Sequence, residues 1–150
     1  MMQSTVGAAG NVGDAMSDAL DRVLDHLAIR ELTARYNRAF DDVDSEAWAD
    51  TFTPDGVMEY GGAPISGRDA LIKMSQATGY GFVHITTDPI IEVDGDRGTQ
   101  RCTVIIANRS EARDRVGIAM TGRYEDDLVR TPDGWRFKRR KAILDVDPGG

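Results

Sequence analysis

One cysteine and two histidines in 150 residues leave this chain short of the side chains that bind metals or build covalent intermediates. Cys102 has no partner for an internal disulfide, and its apolar neighbours mark it as a buried thiol, compatible with a reducing cytosol. The histidines, the cysteine and the scattered acids fall at no usual metal-ligand spacing, so no metal site is expected. A phosphate-cradling loop is missing as well, because Gly61-Gly62 lacks the strand, lysine and helix around it. Any chemistry is therefore expected to be cofactor-free. No stretch of 18 apolar residues could cross a membrane. Met1 to Gly13 lacks the basic and apolar regions of a secretory signal. These absences predict a cytoplasmic protein, with residues 1–16 a disordered leader and 17–147 the folded domain. Positive charge is also scarce: 18 Lys and Arg against 25 Asp and Glu give a net charge of −7, which repels nucleic acid and anionic membranes. The one basic run, Arg136 to Lys141, follows Trp135 and contains Phe137 at strand spacing, so it reads as structure.

What is present describes an ordinary globular domain, 41% hydrophobic and 29% charged. A single core in a chain of this length buries roughly two thirds of the surface that the unfolded chain exposes. Leu20, Val23, Leu24, Leu27, Leu32, Tyr36 and Phe40 recur at steps of three, four and five, which predicts an amphipathic helix from Ser17 to Phe40, capped by Asp14 or Ser17. His26 falls among charged neighbours and reads as a surface residue. Ser45 offers an N-cap for a short helix carrying Trp48, Thr53-Pro-Asp-Gly56 reads as a turn, and a strand is expected over 57–60. A third helix is expected over 68–78. Strands then follow at 82–93, 98–108, 116–130 and 135–144, with Pro89 marking a bulge or bend and Asp94-Gly-Asp96 a hairpin turn. Helices followed by an antiparallel meander make an α+β protein. Strong curvature of the sheet, which Pro89, Gly117 and Gly122 permit, would form a cone with the long helix across an apolar cavity. His84 lies on a wall of that cone, with Tyr36, Asp41 and Asp42 opposite it.

These pieces, in this order, resemble the SnoaL-like branch of the nuclear transport factor 2-like superfamily. The residues that carry the resemblance are Tyr36-Asn-Arg-Ala-Phe-Asp41, Trp48 to Gly56, Gly67-Arg-Asp-Ala70, His84-Ile-Thr, Val93 to Asp96, Gly122 to Asp126 and Gly134 to Arg140. The resemblance implies a cone-shaped α+β barrel, a homodimer or homotrimer, and a pocket for small hydrophobic molecules. Within the superfamily the chain is most similar to the scytalone dehydratase and bile-acid dehydratase type. That similarity implies His84, Asp41 and Tyr36 as catalytic residues, and Arg139 (or Arg140), Asn108, Trp48 and Phe52 as substrate contacts. The steroid dehydratases use an acid on the strand after the histidine strand, a region that here reads Ile106-Ala-Asn-Arg-Ser110 with Asn108 the nearest polar candidate, and scytalone dehydratase carries a second pocket histidine that this chain lacks.

The residues suit proton transfer. An imidazole can take an acidic C–H proton and return it to a leaving hydroxide, since its ordinary pKa lies near neutral. A carboxylate partner would orient the ring and stabilise its cation, and a tyrosine could donate to a developing enolate oxygen. Each residue also has a plainer reading: His84 and Tyr36 as core, Asp41 and Asp42 as a helix-end acidic patch. Strand alternation sets Arg139 on the face of Trp135 and Phe137, unless a bulge reverses it. The expected function is a cofactor-independent lyase or isomerase acting on an aromatic or polycyclic substrate. A polyketide-type cyclase and a non-catalytic binding protein or accessory subunit are the alternatives.

Overall fold

The computed structural model describes residues 9–109 and 114–145. The helices α1 (Ala9–Asp41), α2 (Ser45–Ala49) and α3 (Arg68–Thr78) are joined by strands β1 (Phe52–Tyr60) and β2 (Ile65–Ser66), and β3 (Phe82–Asp94), β4 (Arg97–Arg109), β5 (Val116–Thr131) and β6 (Gly134–Leu144) follow. The six strands form one sheet in the order β2-β1-β6-β5-β4-β3, antiparallel except where β1 runs parallel to β6. The expected α+β class is therefore observed. The sheet packs its inner face on α1, and Tyr36, Phe40, Trp48, Phe52, Tyr124 and Phe137 form the aromatic centre of the core.

The first helix departs from expectation in two ways. It begins at Ala9, so residues 9–16 of the expected leader are helical; residues 1–8 lie outside the described residues. Nor does it carry one apolar stripe. Ile29, Leu32, Tyr36 and Phe40 are buried, whereas Leu20, Val23, Leu24 and Leu27 are more than half exposed. The step of five from Leu27 to Leu32 explains this: at 100° per residue it rotates the pattern by about 140°, onto the opposite side of the helix. The helix stops in a left-handed turn at Val43 (φ 59°), with Asp44 N–H donating to the Ala39 carbonyl and Val43 N–H to the Phe40 carbonyl. Asp44, rather than the expected Ser45, caps α2 by accepting from Ala47 N–H, while the buried Ser45 hydroxyl pairs with that of Ser75 on α3 at 2.9 Å.

Bulges decide which side chains face inward. Thr53 to Gly56, expected as a turn before a strand, loops out inside β1, whose register with β6 jumps between Phe52 and Val57. On β3 the register shifts between Thr87 and Ile90, with Asp88 at φ 53°, so the bulge expected at Pro89 is present. On β6, Leu128 pairs with Phe137 and Asp127 with Arg139, leaving Lys138 as an extra residue. That insertion reverses the alternation: Trp135, Phe137 and Arg140 are buried, and Arg139 turns outward. At Gly122 on β5 a Cβ would lie 2.3 Å from the Ile143 carbonyl oxygen of β6, so only glycine fits. The hairpins at Gly95 (φ 59°) and Thr131–Gly134 are as expected.

Candidate active site

The turn at Val43 leaves Asp41 on the last residue of α1, directed at the sheet edge formed by β3. An edge strand presents backbone N–H groups without partners. Asp41 caps one of them, its two carboxylate oxygens lying 3.1 and 3.0 Å from His84 N–H. The same carboxylate accepts from the His84 ring, with Nδ1 to Oδ1 at 2.7 Å. One side chain therefore holds both the backbone and the imidazole of the same residue. Both partners are largely buried, the His84 side chain 7% exposed and that of Asp41 13%. Asp42 is exposed, which settles the choice between the two acids on geometric grounds. Phe40, one residue before Asp41, packs edge-on against the imidazole with ring centroids 5.0 Å apart. A carboxylate can only accept from Nδ1–H in this arrangement, so the neutral ring carries its proton on Nδ1 and leaves Nε2 as the basic nitrogen.

His84 forms part of two concave surfaces. Inside the fold is a cavity of about 100 Å³ bounded by Tyr36, Tyr124, Met58, Met74, Met120 and Phe82 among others. Outside, an open groove of about 690 Å³ runs between α1 and β3 past Arg30, Asn37, Arg38 and Asp41. The dyad therefore stands between an apolar interior and a water-accessible channel. The cavity as it stands is smaller than the ~150 Å³ in which an engineered core site holds benzene. Its three methionines have the flexible side chains that can repack around a larger guest.

Tyr36 is buried at the centre of the core, its ring 6.0 Å from that of Tyr124 and its hydroxyl 3.9 Å from the Met58 sulfur. Burial raises its phenol above the ordinary tyrosine value, with the nearby Arg140 charge opposing the rise. Burial likewise pushes Tyr124 well above the ordinary value, and the neighbouring Tyr36 adds to the rise. Both phenols thus remain protonated hydrogen-bond donors through neutral pH.

The expected substrate contacts are placed differently. Arg139 lies on the outer face, its Nε and Nη2 donating to Glu59 at 2.6 and 2.9 Å. Arg140 is the inner arginine, fully buried, gripping Asp126 at 2.8 and 2.7 Å with its guanidinium 4.0–4.3 Å from the ring centroids of Tyr36, Tyr124 and Phe137. Burial alone would depress its pKa, but the Asp126 charge and hydrogen bonds raise it above the ordinary value. Asn108 is exposed near the end of β4, outside the cavity, beside Tyr80 and Gly117. Trp48 and Phe52 are buried in the aromatic core behind Tyr36, at centroid distances of 5.4 and 6.0 Å, and do not line the cavity. Tyr124, Asp126 and Arg140 stand in the motifs that carry the resemblance, but nothing local in the sequence assigns them a face. Among the described residues no three His, Cys, Asp or Glu side chains converge as metal ligands.

Comparison with known proteins places this architecture. An uncharacterised Mycobacterium tuberculosis protein, Rv2910c, is 39% identical over 132 residues, covering 79% of this chain and 84% of its own. The small subunit of anthranilate 1,2-dioxygenase from Burkholderia cepacia is 33% identical over 84 residues, covering 53% of this chain and 51% of its own. An NTF2-like protein with a cystatin-like fold from Novosphingobium aromaticivorans superposes with a TM-score of 0.79 at 27% identity, over 96% of this chain and 95% of that one. A structure from the same bacterium, described as a proposed scytalone dehydratase, superposes with a TM-score of 0.73 at 25% identity, over 83% and 87% of the two chains. Residues 21–141, nearly all of the sheet and the inner part of α1, match the SnoaL-like domain, and the chain belongs to that family.

Proposed function

We propose that the protein is a cofactor-independent lyase or isomerase of the dehydratase type, moving protons on a small hydrophobic carbonyl compound held in the cavity. The observation that carries this reading is the His84–Asp41 pair on the cavity wall, with Nδ1 committed to the carboxylate at 2.7 Å and Nε2 left as the base. On a β-hydroxy carbonyl substrate, Nε2 takes a proton from the carbon next to the carbonyl. The enolate charge gathers on oxygen, where the phenol of Tyr36 or Tyr124 donates a hydrogen bond. The imidazolium, stabilised by Asp41, returns its proton to the departing hydroxyl, which leaves as water with formation of a conjugated enone. Returning the proton to a different carbon makes the same site an isomerase, and attack of the enolate carbon on a second carbonyl, whose oxygen then takes the proton back from the imidazolium, makes it a cyclase. The groove on the Asp41 side lets the dyad exchange protons with solvent. Substrates of more than one ring require Met58, Met74 and Met120 to repack.

The test is a panel of cyclic 3-hydroxy ketones with one to four rings, followed by enone absorbance and by deuterium uptake at the α-carbon in D2O. The wild type is expected to convert at least one member, and His84→Ala to slow that conversion by about 10²–10⁴-fold. Equal turnover by wild type and His84→Ala would remove the imidazole from the mechanism. The segment shared with the dioxygenase small subunit favours a second reading, a non-catalytic accessory subunit. On that reading no panel member is converted, and ligand binding seen by native mass spectrometry survives His84→Ala.

A further inference from the structure

The groove between α1 and β3 serves the proposed chemistry only as a path to solvent, yet its walls carry hydrogen-bond donors that no protein acceptor takes. Its volume of about 690 Å³ falls in the range of small-molecule sites. Arg30, Ala34, Asn37, Arg38 and Asp41 line it from one face of α1, and residues 83–89 line it from β3. Asp41 meets His84, and Asn37 Nδ2 donates to the Thr86 hydroxyl at 2.9 Å, so the helix runs back along the strand. Arg38 therefore stands at the His84 end of the groove and Arg30 toward Asp88.

Among the described residues neither arginine has an acidic partner, and both are exposed. Thr86 adds two more donors. Its hydroxyl, which accepts from Asn37, keeps its own proton to give. Its N–H points the same way as that of His84, which Asp41 caps, because β3 is the sheet edge, alternate residues bond to β4, and the register is unbroken from Phe82 to Thr87. No described group accepts either proton. Asp41, the acid at this end, already accepts from the backbone and the ring of His84. The Asn37 carbonyl oxygen is also unpartnered, but it is buried and takes no part.

We propose that this groove is a second binding site, for a small amphiphilic carboxylate. The carboxylate lies against the Arg38 guanidinium and the two donors of Thr86, and the apolar part of the ligand lies along Ala34, Val83 and Ile85, the last of which is 49% exposed. A carboxylate has acceptor positions for a guanidinium fork and two further donors at once. Its single charge matches the one uncompensated arginine at this end, whereas a phosphate monoester carries about −2 and would exceed it. Arg30 shares its end with Asp88, so it contributes less. The site rests on charge and hydrogen-bond geometry alone and is independent of the reaction at His84.

Titration of the full chain, methyl-labelled for NMR, with 4-phenylbutyrate tests this. Saturable shifts are expected below about 10 mM at the methyls of Ala34, Val83 and Ile85, with those of Met58, Met74 and Met120 in the cavity unmoved. Arg38→Gln, at an exposed position, should weaken binding by about tenfold or more, and so should exchanging the probe for neutral 4-phenylbutyramide. Arg35→Gln removes an equal charge from α1 outside the groove and should leave the affinity unchanged. Absence of saturation, equal affinity for the amide, equal losses in Arg35→Gln and Arg38→Gln, or shifts of the methionine methyls in place of the groove methyls would each overturn the proposal. None of these readouts involves turnover, so a failure here leaves the chemistry of the dyad standing.

Discussion

Removing the carboxylate of Asp126 should cost this fold about 3–5 kcal/mol, because it strands a buried cation. Arg140 and Asp126 have 0% side-chain exposure on both sides of their ion pair. Asp126→Ala leaves the Arg140 guanidinium with three aromatic faces and no anion, and deprives Gln100 Nε2 of an acceptor at 2.9 Å. The neighbouring residue supplies an internal control. Arg139 makes an equally bidentate pair with Glu59, but its side chain is 35% exposed and that of Glu59 27%, so Glu59→Ala should cost no more than about 1 kcal/mol. At about 2–4 °C per kcal/mol for a domain of this size, the first change lowers Tm by about 6–20 °C and the second by less than about 4 °C. Urea unfolding followed by tryptophan fluorescence is a suitable assay, since Trp48 and Trp135 are both buried. Replacing both partners, as Asp126→Leu/Arg140→Met, should recover much of the loss, because no charge is then left unpaired. Equal losses for Asp126→Ala and Glu59→Ala would refute the reasoning, and with it the claim that the Lys138 bulge sends Arg140 rather than Arg139 inward.

Three other outcomes are expected. Gly122→Ala should destabilise by about 3 kcal/mol or more, since its Cβ would meet backbone 2.3 Å away, whereas Gly117→Ala, with open space around it, should be close to neutral by thermal melting. Burial pushes the Cys102 thiol up to about 11, so the native protein should react with a disulfide reagent at pH 8 only on the timescale of unfolding, and a rapid native-state reaction would contradict its burial. Burial works to raise the Asp25 carboxyl, but hydrogen bonds from Arg130 and Trp135 outweigh it and hold the group below its ordinary value. A depressed folded-state value means the stabilisation is complete above the ordinary carboxylate range near pH 4 and disappears as pH falls through the folded value. Asp25→Asn should therefore lower stability at pH 7 and flatten the acid limb of the stability–pH curve, measured by denaturant midpoints from pH 7 down to pH 2.

How legible the site was depends on whether local pattern or distant pairing decides each residue. His84 was readable as a lone imidazole on a strand, whereas local pattern left Asp41 and Asp42 as an undecided pair at the helix end, of which the resemblance pointed to Asp41. Asn108, Trp48 and Phe52 were carried by resemblance, and their placement outside the cavity depends on neighbours far along the chain. Tyr124 went unassigned because nothing around it in β5 marks that face as the one turned to a cavity.

By itself the sequence determined the α+β class, the three helices, the four long strands of the meander, the hairpin turns and the break at Pro89, because these follow from residue spacing, missing donors and glycine conformations over a few positions, whereas the short β2 (Ile65–Ser66) lies in what reads as a loop. Only the tertiary structure decided which arginine of β6 enters the core. A single inserted residue at Lys138 exists only in the register between two strands, and it flips every side chain beyond it. Likewise the five-residue step from Leu27 to Leu32 splits the apolar pattern of α1 in the sequence, but only packing against the sheet decided that Ile29, Leu32, Tyr36 and Phe40 are core while Leu20, Val23, Leu24 and Leu27 stand exposed.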